Sequence, residues 1–385
     1  MTIRELAYAA QQNLQVNTGV CFKRSHVYEL LASSFGFNSY AAFGVDTVFT
    51  ELRENDKRVP PQGALITQRS IELGYQPDIA VLVPAALKSF LAQRQIGVSS
   101  ISTLIRCLRG ELPTPGNYFA GDANGLFSDG QDNLFDPADN GGIGQILGGA
   151  LEAAASNGNA LAHYALALIN NPDDDDDDDN PDADNPYWYL QAQRGRVLTG
   201  VEKEWAEAYE ARVTQTEKYF THLREAGRLG NRHALLDLAD RFDDPSFFEQ
   251  ARSDIGADPA AVAAIAERMG RSADAKHWLT VAAERGDPHA MLQLIEKHDR
   301  DDLVRCWMWV YLSQLVGTDL ANDANYAINE DGSDYDDDVG GPVYVAGRDG
   351  VNLDRLSTEQ DAAARLAAQE ALQQMQQNGD VRPLP

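Results

Sequence analysis

Apolar residues return every three to four positions along most of this chain, and glycines stand at the breaks. That is the period of helices with one buried face. The stretch from Lys276 to Leu320 shows it best. Trp278, Leu279, Ala282 and Ala283 share a helical face, and Gly286 suits the left-handed turn that ends a helix. Asp287 and Pro288 fit the N-cap and first position of the next helix, which carries Ala290, Met291, Leu294 and Ile295. The alanines let two helices approach closely, with Trp278 as a large wedge beside them. Weaker copies follow the same plan. ALEAAASNGNALAHYALAL has Gly158, Asn159 and Ala162; YWYLQAQRG has Trp188 and Gly195; YFTHLREAGRLGNRHALLDLA has Gly230, Asn231 and Ala234; WVYLSQLVGTDL has Trp309 and Gly317. The glycines at 158, 195, 230, 286 and 317 lie 37, 35, 56 and 31 residues apart. Most intervals match one helix–turn–helix unit, and the long one fits a unit plus an insertion over 242–259.

The phrase DAKHWLTVAAERGDPHAMLQL resembles Sel1-like repeats, relatives of the tetratricopeptide repeat, through its W-x3-AAE-x-G-D-x2-A pattern. The resemblance covers roughly 146–320. One copy is close and the others are degenerate; the usual G-x-G-V-x2-D loop is hinted at only by LTGVEKE after Gly195. The resemblance implies an α-solenoid used for protein–protein contact and transfers no catalytic residue. A non-repetitive bundle of glycine-capped helices is the alternative. The expected fold is therefore mainly α. A small N-terminal helical domain over 1–112 precedes a Gly/Asp/Pro-rich linker over 113–145 and a Sel1-like solenoid over 146–325. Residues 326–385 supply an acidic loop, a small hairpin at 342–353 and a capping helix. That helix starts at a Ser357–Gln360 capping box and carries a stripe through Ala363, Leu366, Ala367, Glu370 and Leu372.

The N-terminal part twice reads as a helix, a glycine turn and a second helix, the outline of a DNA-reading motif. One instance runs through Val27, Leu30, Leu31, Gly36 and Ser39. The other has Gly97, Val98 and Ser99 as its turn and Ile101, Leu104, Ile105 and Leu108 on the next helix. Lys88, Arg94, Arg106 and Arg109 give this second segment positive charge and make it the candidate phosphate contact; an ordinary helical hairpin is the plain alternative. The apolar run from Ile79 to Val83 is a weak strand signal. Residues 202–226 read as a long charged helix exposed on one side.

Charge sharpens the division. The 385 residues carry a formal charge of −27. Residues 1–112 hold 11 basic and 9 acidic side chains, and the remainder holds 21 and 50. The acidic part repels nucleic acid and anionic membranes and attracts a basic partner, or else serves only solubility. Seven consecutive aspartates, Asp173 to Asp179, have nothing to bury and predict an exposed loop over 171–186, passive or docking a basic partner. Asp334, Asp336 and Asp338 form the candidate metal cluster, with weak calcium binding considered for both Asp-rich loops and for Asp122, Asp129, Asp132 and Asp136. No ligand spacing of an established kind is present, so no cofactor is expected. Cys21, Cys107 and Cys306 are too far apart for a zinc site and read as reduced core thiols of a cytoplasmic protein. The opening MTIRELAYAAQQNLQ lacks the regions of a secretory leader, and no apolar stretch reaches membrane-spanning length.

No G-x-S-x-G, H-E-x-x-H or G-x4-G-K-[ST] motif occurs. His26 with Glu29 is the one local acid–base pair, and His233 and His289 occupy equivalent repeat positions. The reading is of a non-enzymatic interaction scaffold. Trp188, Tyr189, His233, Trp278, His289 and Trp309 are its candidate partner contacts, and the partner is a basic protein. A nucleic-acid-linked regulator acting through residues 88–109 is the second reading.

Overall fold

The computed structural model describes residues 2–52, 61–111, 144–172, 185–250, 256–329, 333, 335 and 342–378. The chain is mainly helical, and its packing divides it into two units, Met1–Leu238 and Ala239–Pro385.

In the first unit, α1 (Ile3–Thr18) starts at a reciprocal cap between Thr2 and Glu5 and ends at Gly19 in a left-handed turn. Leu6, Ala10 and Leu14 line its buried face and meet Val27, Leu30 and Leu31 of α2 (Arg24–Ser34) in one core. Then come α3 (Tyr40–Phe43), β1 (Thr47–Glu51), α4 (Gly63–Glu72), α5 (Pro77–Ala80), α6 (Val83–Gln93), β2 (Ile96–Ser100) and α7 (Ile101–Leu108). The run from Ile79 to Val83 is not a strand: Pro77 and Pro84 each occupy a helix's first turn, where a missing N–H costs nothing. Strand structure arises instead at Gly97–Val98–Ser99, which pairs antiparallel with β1 as Phe49↔Val98 and Thr50↔Gly97. This corrects the second helix–turn–helix outline, whose turn is a strand. The first outline does form, with Gly36 at φ 92° after α2 and Ser39 capping α3, but α3 is only four residues long, about one turn, too short for a recognition helix.

The unit continues with α8 (Gln145–Ser156), α9 (Ala160–Ile169), α10 (Tyr187–Gln193), α11 (Val201–Arg228) and the start of α12 (Arg232–Phe242). Glu51 caps α8, its carboxylate accepting from the amides of Ile146 at 2.7 Å and Leu147 at 3.4 Å. Ile146 joins the N-terminal core, and α7 packs on α9. Packing therefore does not divide the chain at residue 112, where the composition shifts.

In the second unit, α13 (Ser246–Glu249), α14 (Pro259–Arg268), α15 (Ser272–Glu284) and α16 (Pro288–Gln293) follow. A π turn, Leu294–His298, then leads to α17 (Leu303–Leu315). The α15–α16 turn is built as its residues dictate. Gly286 has φ 94°, and Asp287 accepts from the His289 amide at 2.8 Å. Trp278, Leu279, Ala282, Ala283, Ala290 and Met291 are buried around it.

The expected hairpin within 342–353 does not form. β4 (Tyr344–Arg348) pairs instead with β3 (Ala324–Ile328), with Asn325 opposite Gly347. A Cβ on Gly347 would strike the Ala324 carbonyl, and its φ of 127° suits only glycine. We expect Gly347→Val to separate the strands, read as loss of cross-strand contacts between Tyr326 and Ala346 in the NOE spectrum. α18 (Thr358–Asn378) opens at the Ser357–Gln360 capping box and packs on α17. Its buried stripe is Ala364, Ala368 and Met375, one register away from the expected one, and Leu366 is exposed. Cys107 and Cys306 are buried as expected, but Cys21 is exposed, because it lies past the end of α1.

Candidate protein-docking site

Among the described residues, α10 and the first half of α11 bury little of their apolar surface. α11 is 28 residues long, and its second half packs on α9 through Tyr219, Leu223 and Ala226. The Gln215 side chain donates to the Asn171 carbonyl at 3.4 Å, so α9 has already ended where α11 passes Gln215. From Val201 to Val213 the helix buries only Ala206, and α10 packs along it. α10 itself, with the sequence YWYLQAQ, buries no residue.

An apolar helical face normally meets a partner helix within the fold; among the described residues no helix covers this one. Tyr187, Leu190, Val197 and Val201 are exposed, by 43% to 87%. Trp188, Tyr189, Trp205 and Tyr209 are half-buried. Tyr187 meets Trp188 edge-on at 4.9 Å, and Tyr189 lies 5.2 Å from Tyr209. Rigid aromatic surface of this kind is enriched where proteins bind one another. Glu202, Glu204, Glu207 and Glu210 line the first three turns of α11, against Lys203 alone. The aspartate run 173–179 precedes α10 in sequence and lies outside the described residues.

Of the six expected partner contacts, only Trp188 and Tyr189 belong to this face. Trp278 and Trp309 are core residues, 4% and 2% exposed. Trp278 packs against Phe247, and the Trp309 indole donates to Asp299 at 2.9 Å. His289 is exposed on α16, with its Nε2 2.8 Å from the Gln293 amide. His233 turns into the first unit. Tyr187, Leu190, Trp205 and Tyr209 were missed; Trp205 and Tyr209, four apart among glutamates on one helix, carried the available signal.

The basic segment is also rearranged. Lys88 and Arg94 are exposed, and Arg106 lies 3.8 Å from Glu111. Arg109 turns inward. Its guanidinium donates to the Tyr164 hydroxyl at 3.0 Å and meets His233 Nδ1 at 2.9 Å, with Glu111 at 2.8 Å. Tyr164 in turn donates to Asp237 at 2.7 Å. Burial and the Asp237 charge push the Tyr164 phenol far above its ordinary value, so it stays protonated. Burial and Arg109 hold His233 below the usual histidine value. This network ties α7, α9 and α12 together and removes Arg109 from any phosphate-binding face. Tyr164→Phe leaves Asp237 and Arg109 short of a partner. We expect it to cost about 1–3 kcal/mol, measured by urea unfolding. The local pair of His26 and Glu29 also dissolves: His26 Nδ1 meets the Tyr75 hydroxyl at 2.9 Å, and Glu29 pairs with Arg69 at 2.7 Å.

The second unit centres its charge on Asp299, a buried carboxylate that follows the π turn. Lys276 reaches Oδ1 at 2.7 Å, and Arg305 reaches Oδ2 at 2.9 Å. The Cys306 thiol donates to the Asp299 carbonyl at 3.0 Å, and burial pushes that thiol up to about 11. Burial opposes ionisation of Asp299, yet hydrogen bonds from Lys276 and Trp309, with the Arg305 charge, outweigh it and hold its carboxyl below the ordinary aspartate value. Every oxygen of this group is engaged within the fold.

No known protein family, curated protein or solved structure matches this chain. Asp334, Asp336 and Asp338 lie outside the described residues, as do Asp122, Asp129, Asp132 and Asp136. Among the described residues no cluster of three or more His, Cys, Asp or Glu side chains is placed to hold a metal ion. No described helix is long and apolar enough to cross a membrane.

Proposed function

We propose that this protein is a non-enzymatic interaction scaffold, built from Sel1-like helical hairpins, and that the α10–α11 hairpin is where it grips a basic partner protein. One observation carries the reading: a helix with the sequence YWYLQAQ buries none of its residues within the described fold. Its aromatic side chains bring large contact area at little entropic cost, which is why Trp and Tyr dominate binding energy where they are found at interfaces. The glutamates of α11 and the aspartates ahead of α10 add attraction for positive charge and speed encounter. The same acidity disfavours nucleic acid at this face. The chemistry-bearing groups elsewhere support a structural role, since Tyr164, His233 and Asp299 are each committed to internal partners.

The test places a photo-crosslinking residue at Tyr187 in the full chain, with Tyr8 as an exposed control site, in nuclease-treated lysate of the source organism. The captured protein is then purified and titrated against the wild type and a Trp188→Ser, Leu190→Ser variant. Basic character, capture from 187 and not from 8, and loss of binding in the variant support the reading. Equal capture from both sites, or unchanged affinity in the variant, overturns it.

A further inference from the structure

The docking hairpin already holds a cation of its own. Arg196, in the turn between α10 and α11, lays its guanidinium over the Trp188 ring, 5.0 Å from the centroid. The same guanidinium reaches the Glu202 carboxylate at 3.4 Å. The side chain stays 47% exposed, so it is laid over the surface rather than locked into a core. A flat aromatic face and a carboxylate, spaced to be spanned by one guanidinium, make the two halves of an arginine-binding subsite. Arginine suits it better than lysine, because the planar, weakly hydrated guanidinium stacks and hydrogen-bonds at once.

We propose that Trp188 and Glu202 form an arginine subsite, that Arg196 is its resident placeholder, and that an arginine-bearing segment of the partner displaces Arg196 on docking. This rests on the reading of α10–α11 as the docking surface. Exchange of one guanidinium for another conserves the stacking and the ion pair, so the subsite contributes selectivity more than affinity. Arg196 holds the Trp188 face until a competing arginine arrives, and cations that cannot stack gain less by displacing it. An exposed contact of this kind is weak. Displacement is therefore within reach of a partner held by the neighbouring aromatic residues and glutamates.

The probes are hepta-arginine and hepta-lysine peptides, titrated calorimetrically into the full chain at fixed salt. Wild type is expected to prefer hepta-arginine. Arg196→Ala, and Arg196→Gln as a milder change, should raise affinity for hepta-arginine about threefold more than for hepta-lysine. Arg194→Ala removes a neighbouring exposed charge and should raise both affinities equally. Trp188→Ala should abolish the preference for arginine. Matching melting temperatures show that each variant is folded. If the Arg196 variants favour both peptides equally, or Trp188→Ala keeps the preference, the subsite is overturned while docking at the hairpin stands. If neither peptide binds any variant, both the subsite and the docking reading fall.

Discussion

Asp299→Ala is expected to destabilise the unit Ala239–Pro385 by about 3 kcal/mol. The substitution removes the shared partner of Lys276, Arg305 and the Trp309 indole. It leaves the indole N–H buried without an acceptor, since Trp309 is 2% exposed. The two cations reach solvent, at 41% and 39% exposure. Water therefore recovers part of their loss, and the cost sits at the low end for breaking a buried pair. Asp299→Asn keeps the shape and an oxygen acceptor and should cost less. Linkage gives a second signature. A carboxyl whose folded value lies below its unfolded value contributes stability above the unfolded value, near pH 4, and that contribution is lost as pH falls through the folded value. The wild type therefore loses stability below about pH 4 by a margin that Asp299→Asn does not share. Urea unfolding at pH 7 and at pH 3, for both proteins, checks the magnitude and the sign together.

The second large effect is on binding, with stability spared. Trp188→Ser combined with Leu190→Ser should weaken the basic partner by at least about thirtyfold, the effect of losing roughly 2 kcal/mol from an aromatic anchor. The melting temperature should stay within about 2 °C, because neither side chain is buried: Trp188 is half-exposed and Leu190 is 43% exposed. A core substitution behaves the other way. Leu223→Ala, at a fully buried position where α11 meets α9, removes packing and costs about 2–5 kcal/mol. A variant that loses binding at constant stability therefore locates a surface, whereas loss of both locates the core.

Local instructions were legible in the sequence, and long-range partners were not. Gly286, Asp287 and Pro288 fix a turn through their own backbone preferences, so the α15–α16 turn could be read directly. Ser357 and Gln360 announce the start of α18 for the same reason. Gly97–Val98–Ser99 is different, because a strand needs its partner, and Phe49 lies 49 residues from Val98 in sequence. Arg109 looked like surface charge until Tyr164 and His233 closed around it. The tryptophans make the point most sharply. Trp188, Trp278 and Trp309 stand in similar phrases, each ahead of a glycine. Two are core residues because helices or a buried carboxylate lie opposite, and Trp188 is only half-buried, on a hairpin whose long helix runs on past the end of α9. Periodicity shows which face of a helix is apolar; only the packing shows what covers it.

The most direct measurement is amide hydrogen exchange of the full chain, with and without saturating hepta-arginine. Exchange is expected to slow over 186–213, with the second half of α11 and the α15–α16 turn unchanged. Unaltered exchange over 186–213, with protection appearing elsewhere in the chain, would contradict docking at the hairpin.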